Sequence, residues 1–196
     1  MREYLWDKKL NIRTGGRDDT HADQYRFPYE PTPYRVLDRL AGSGYIDQQS
    51  VVLDYGCGKG RVDFFLAHQC GCLCYGVEYD DRIYEMARRN MEKALSSSKV
   101  DIVHANAEQY EVPSSVNRIF FFNPFSVEIL RSVMERIRDS WYGNPREILL
   151  FFYYPSDEYV SWLMTVEELT FLDDIDCRDL FLGNIRFERI MVFEMG

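Results

Sequence analysis

The stretch Val51-Val52-Leu53-Asp54-Tyr55-Gly56-Cys57-Gly58-Lys59-Gly60 decides the fold. Its first half is an apolar run closed by a carboxylate, the pattern of a buried strand whose C-terminal end feeds a turn. Its second half places glycine at alternate positions, which lets the backbone bend sharply and brings N–H groups close to a ligand where a side chain would collide. A helix over Gly60 to Gln69, with Val62, Phe65 and Leu66 inward, follows the turn. Ligands of open α/β sheets sit beyond the C-terminal ends of the strands, so this turn is a candidate site.

Outward from that turn, strand and helix signals alternate. Cys72 to Glu78 reads as a second buried strand, and Asp80 caps a helix carrying Ile83, Met86, Ala87, Met91, Ala94 and Leu95 at helical spacing. Val100 to His104 and Arg118 to Phe122 are the next strands, and Ser126 caps a helix bearing Ile129, Leu130, Val133, Met134, Ile137 and Trp141. Ile148 to Tyr154 makes a fifth strand and Ser156 starts a shorter helix. Phe171 to Asp176 and Phe187 to Glu194 then pair as an antiparallel hairpin across Leu182-Gly183-Asn184. Upstream, Thr32 caps a helix with Pro33 at its first position and Val36, Leu37 and Leu40 on one face. Residues 1–31 are polar and broken and read as an irregular arm.

Parallel strands need crossover connections. The alternation therefore predicts an α/β fold: a doubly wound, mostly parallel seven-stranded sheet with an antiparallel last strand. It spans a single domain over 32–196, behind the arm of 1–31.

The chain has 196 residues with 23 Lys+Arg against 32 Asp+Glu, a net charge of −9. No general field draws it to phosphate backbones or anionic lipid, which disfavours nucleic acid as a partner. No stretch approaches the roughly 20 apolar residues of a membrane span, and Met1-Arg2-Glu3-Tyr4 lacks a signal-peptide core. A soluble, cytoplasmic protein is expected, with no membrane partner. The five cysteines are an odd, clustered set that fits a reducing compartment. Cys70, Cys72 and Cys74 form no metal-binding knuckle, so no metal is expected. His21, His68 and His104 are scattered, with no nucleophile and base to suggest hydrolysis.

The glycine spacing separates two cofactor classes. Dinucleotide sites use G-x-G-x-x-G with a pyrophosphate at the helix N-terminus. Here Arg61 stands at the third glycine's place and the pattern is G-x-G-x-G. Asp54 would repel a pyrophosphate but suits a cofactor carrying an amino group and a sulfonium. Glu78, at the end of the second strand, is placed to accept hydrogen bonds from ribose hydroxyls. These residues favour a cationic nucleoside over a dinucleotide.

The 51–60 stretch closely resembles motif I of the class I S-adenosylmethionine-dependent methyltransferases. Glu78 matches that family's ribose-binding acid. His104-Ala105-Asn106-Ala107-Glu108 looks like the segment that reads adenine, with Asn106 where the family often has Asp. Phe120-Phe121-Phe122-Asn123-Pro124-Phe125 resembles the motif beside the transferable methyl, and the stretch from Asn123 is similar to the Asn-Pro-Pro-aromatic motif of amino-methylating enzymes, with one Pro fewer. The resemblance implies S-adenosyl-L-methionine as cofactor, held by Asp54, Gly56, Gly58, Gly60, Glu78, Asn106, Ala107 and Asn123. It implies methyl transfer (EC 2.1.1.-) at Asn123, Pro124 and Phe125, to a small-molecule or protein acceptor. Glu108, Tyr153, Tyr154 and Asp157 stand at strand ends as further candidates for moving a proton. The arm either folds over the cofactor as a lid, a feature of the family, through Tyr29 and Thr32, or is an unstructured tail. Two other readings remain: a non-catalytic cofactor-binding or partner subunit of the same fold, and a nucleotide-dependent oxidoreductase, which Arg61 weakens. The acceptor and the oligomeric state stay open.

Overall fold

The computed structural model describes residues 2–20, 23–183 and 185–196. His21 and Asn184, named above, lie outside the described residues. The parallel core runs β1 (Val51–Tyr55), α3 (Arg61–Gln69), β2 (Leu73–Glu78), α4 (Asp81–Met91), β3 (Val100–His104), β4 (Arg118–Phe121), α5 (Val127–Gly143), β5 (Ile148–Tyr153) and α6 (Asp157–Leu163). It is preceded by α1 (Arg2–Leu10) and α2 (Tyr34–Ala41) and followed by β6 (Leu169–Asp176) and β7 (Arg189–Met195). The sheet order is β3-β2-β1-β4-β5-β7-β6. β1 pairs in parallel with both β2 and β4, so the chain reverses its direction of growth there and opens a crevice at that switch point. β7 runs antiparallel between β5 and β6, as the hairpin reading requires.

Alternation along the strands splits the core over the two faces. Phe120, Phe151 and Tyr153 pack with Tyr34, Phe64 and Phe65 on one face. Phe121 and Phe152 pack with Tyr55, Leu130 and Tyr159 on the other, their rings stacked 4.7 Å apart. No helix among the described residues is long and apolar enough to cross a membrane.

The arm departs from expectation, because its first residues are helical rather than irregular. Helix α1 is held by tertiary contacts: Trp6 lies 5.8 Å from Tyr34 and edge-on to Phe65 at 4.9 Å, and Leu10 is buried. Thr32 does not cap α2. Pro33 is the N-cap and makes no side-chain bond, while Thr32 is buried and its carbonyl accepts from Arg61 at 3.2 Å. Ser126 stands at the N-cap of α5 without bonding the helix through its side chain, whereas Asp80 and Ser156 do bond theirs. Helix α4 stops at Met91, short of Ala94 and Leu95, where the chain turns back toward β3.

Candidate functional site

The turn after β1 is fastened to β2: the N–H groups of Gly56 and Cys57 both donate to the Val77 carbonyl, at 2.9 and 3.1 Å. Gly56 has φ +74, and a Cβ there would lie 2.6 Å from Cβ of Pro124. Gly58 has φ +59, and a Cβ there would lie 2.2 Å from the Tyr29 ring. Both positions therefore need glycine twice over, for the left-handed backbone and for close approach by a second segment. Gly60 caps α3.

Beyond this turn opens a cavity of about 470 Å³. Gly56, Glu78 and Ile83 form one wall, Ala105 to Ala107 another, and Phe122, Pro124 and Phe125 a third. Glu78 accepts from Gly58 N–H at 2.9 Å and from Asp80 N–H at 2.8 Å. Burial nonetheless raises its carboxyl above the ordinary value, against the pull of those N–H groups. Asn106 caps the short turn Ala107–Gln109 by accepting from Glu108 N–H at 3.1 Å.

The arm makes the remaining wall with Arg26 to Glu30. Main-chain bonds clip it to the loop after β4: Phe27 N–H to the Pro124 carbonyl at 3.2 Å, and Ser126 N–H to the Tyr25 carbonyl at 2.7 Å. Lys59 donates to the Gly15 carbonyl at 2.9 Å and sits 4.4 Å over the Tyr29 ring. The Tyr29 hydroxyl donates to the Thr14 carbonyl at 2.5 Å.

Arg61 anchors this assembly. It donates to Thr14 Oγ1 at 2.7 Å and to Glu3, lies 3.7 Å from Asp7, and covers the Tyr34 ring at 4.4 Å. Asn90 of α4 bonds both the N–H and the carbonyl of Arg13, and the Lys59 carbonyl as well. Sequence reasoning missed this anchoring role of Arg61 and Asn90. The available signal was the arginine at a glycine's place in the spacing.

The structure brings Gly56, Glu78, Asn106, Ala107, Pro124 and Phe125 to one crevice. Gly58, Gly60, Asp54 and Asn123 are not among the residues that line it. Asp54 is 3% exposed and lies among buried acids. Its carboxyl is raised first by burial, then by the charges of Asp63 and Glu78. Asp63 keeps both oxygens buried without a partner among the described residues, and burial pushes it up to about 7. Asn123 adopts φ +42, and its Oδ1 is buried without a partner among the described residues. Of the proton-moving candidates, Asp157 pairs with Arg186 at 2.8 Å and the Tyr153 hydroxyl donates to Glu188 at 2.6 Å.

An adenosyl donor fits these residues. The cavity falls within the roughly 300–1,000 Å³ of small-molecule sites. Glu78 presents an acid at its wall, and the bend at Gly56 lets Pro124 close in beside it.

Residues 52–140 match the model of a methyltransferase domain. A protein-lysine N-methyltransferase from Saccharolobus islandicus is 28% identical over 110 residues, 56% of this chain and 68% of that protein. An S-adenosyl-L-methionine-dependent Diels-Alderase from Talaromyces variabilis is 33% identical over 91 residues, 45% of this chain, which spans only 31% of that relative's length. An RNA methyltransferase from Salinibacter ruber, solved with S-adenosyl-L-homocysteine, shares the fold with a TM-score of 0.52 and 19% identity over 85% of this chain and 92% of that one. Residues 52–140 thus match a methyltransferase domain, and the sheet with its antiparallel last strand and the glycine turn bonded to Glu78 give the chain the fold of the class I S-adenosylmethionine-dependent methyltransferases.

Proposed function

We propose that the protein transfers a methyl group from S-adenosylmethionine to a small-molecule or protein acceptor. The observation that carries this reading is Glu78, a carboxylate set into the crevice wall by two backbone N–H groups and facing space of cofactor size. The bound donor supplies a methyl carbon already activated by its own sulfonium, so the protein needs chiefly to bind, orient and exclude water. Glu78 accepts from the ribose hydroxyls and Asn106 with Ala107 meets the adenine. The clipped arm shuts out solvent as a lid, with Tyr29 against the glycine turn. Pro124 and Phe125 form the wall nearest the acceptor. The Oδ1 of Asn123, unpaired among the described residues, is a buried polar group that a bound partner would satisfy.

Calorimetric titration with S-adenosylhomocysteine and with NAD tests the donor site. Binding of the first alone is expected, with Glu78→Ala weakening it about ten- to a hundredfold through loss of hydrogen bonds to a charged group. Binding of NAD alone would overturn the reading. Transfer of labelled methyl to acceptors then tests catalysis. The Diels-Alderase relative favours one second reading, a role that requires the donor without consuming it. Donor binding with no methyl loss across acceptors would support that role. The net charge of −9 weighs against an RNA acceptor.

A further inference from the structure

Arg26 of the arm meets both banks of the crevice. On one side its main chain forms an antiparallel bridge with Phe125, flanked by the bonds from Phe27 N–H to the Pro124 carbonyl and from Ser126 N–H to the Tyr25 carbonyl. On the other side its guanidinium lies 4.2 Å over the ring of Tyr79, the residue that follows Glu78. Arg26 and Tyr79 both line the cavity, so their contact reaches from the arm to the end of β2 along its rim. The aim of the side chain is set locally. Asp23 N–H donates to the Arg26 carbonyl at 3.0 Å, and the Asp23 carboxylate accepts from the N–H groups of Tyr25 and Arg26 at 2.7 and 2.8 Å. Those N–H groups hold the Asp23 carboxyl below its usual value, so it stays charged, 3.6 Å from the guanidinium. The Arg26 side chain is 30% exposed, and a cation so far withdrawn from water gains more from a ring face than a fully hydrated one. The arm and the Tyr79 turn also have anchors that do not involve the guanidinium. Asp18 meets Arg82 of α4 at 2.8 Å and exchanges main-chain bonds with Tyr29, and His104 Nε2 lies 2.8 Å from the Tyr79 carbonyl.

We infer that Arg26 is a positioning residue for the donor: stacked on Tyr79, it ties the arm to the end of β2 and sets how long a nucleoside seated at Glu78 stays enclosed. This rests on the methyltransferase reading and gives Arg26 no part in the displacement at the methyl carbon. A flat guanidinium holds a ring face without a fixed hydrogen-bond geometry, so the contact re-forms whenever the main-chain clips to the loop after β4 close. When those clips part, the main chain carries the guanidinium off Tyr79, and both banks are released in one event.

The test measures release of S-adenosylhomocysteine from the full chain, displaced by excess S-adenosylmethionine in stopped flow. Arg26→Met keeps an unbranched stem and removes the cation, and should speed release about fivefold. Tyr79→Leu should do the same, while Tyr79→Phe, which keeps the ring, should release at the parent's rate. Combining Arg26→Met with Tyr79→Leu should give release no faster than either alone, because both remove one contact. Arg82→Met cuts a separate tie, so its effect should multiply with that of Arg26→Met. Should Arg26→Met fail to fold, the two Tyr79 variants decide the matter by themselves. Unchanged release in Arg26→Met or in Tyr79→Leu overturns the inference, as does a multiplying effect of those two. Slower release overturns it as well, because the guanidinium then competes with the donor for the Tyr79 ring. Failure of the parent to bind S-adenosylhomocysteine is a different result, and removes the methyltransferase reading beneath it.

Discussion

Arg61 and Asp63 sit two residues apart on α3, and both are buried, yet their environments are opposite. Arg61 is surrounded by acceptors: Thr14, Thr32, Glu3 and Asp7. Replacing it with Met keeps the bulk and strands those groups. A fully buried pair broken in this way costs roughly 3–5 kcal/mol, and because Glu3 is 43% exposed a loss nearer 2 kcal/mol is expected in denaturant unfolding. A variant as stable as the parent would show the cluster to be incidental. Asp63 has no hydrogen-bond donor to either oxygen among the described residues, and burial lifts its carboxyl from 3.8 to about 7. Between those values the folded chain holds a proton that the unfolded chain has released. The contribution of Asp63 to stability is therefore fully present below the ordinary carboxylate range and is lost as pH rises to about 7, by up to about 1.4 kcal/mol per pH unit. Asp54 is shifted in the same direction, so Asp63→Asn should flatten this slope without abolishing it. Thermal unfolding across pH 4 to 7 reads the difference, and identical slopes would assign the titration elsewhere.

At the scale of elements, legibility follows from whether a segment's cause is local. Strand β3 runs from Val100 to His104 as its apolar pattern requires, and Asp80 and Ser156 cap their helices through the bonds their side chains suggest. Helix α1 carries no such signal. Its cause lies in Tyr34, Phe65 and Arg61, residues far along the chain that receive Trp6, Leu10 and the acids of its inner face. Asp54 was assigned by its charge and Asn123 by motif, and neither is among the residues lining the crevice, because burial depth at a strand end depends on what packs above it. The arm itself is tied at both ends of the segment from Arg13 to Phe27: to Asn90, and to the loop after β4. Trypsin should consequently cut at exposed Arg17 slowly in the parent, faster in Asn90→Ala, and slowest when S-adenosylhomocysteine is present. Equal cleavage with and without that ligand would separate the arm from the crevice.

The whole molecule was legible where parallel pairing dictated topology. Alternating strands and helices left few arrangements of the sheet, and the reversal at β1 and β4 put the ligand crevice where the glycine turn already pointed. The lining of that crevice was not legible, since its walls draw residues from the arm, the turn after β1, the ends of β2 and β3 and the loop after β4 together. The clips joining Tyr25 and Phe27 to the loop after β4 bear on timing. If the arm serves as the proposed lid, a guest enclosed behind these bonds leaves only after the backbone pairing parts, and egress then paces turnover. Pre-steady-state mixing should then reveal a rapid first turnover followed by slower cycling, and trimming those contacts should quicken the later phase at the expense of retention.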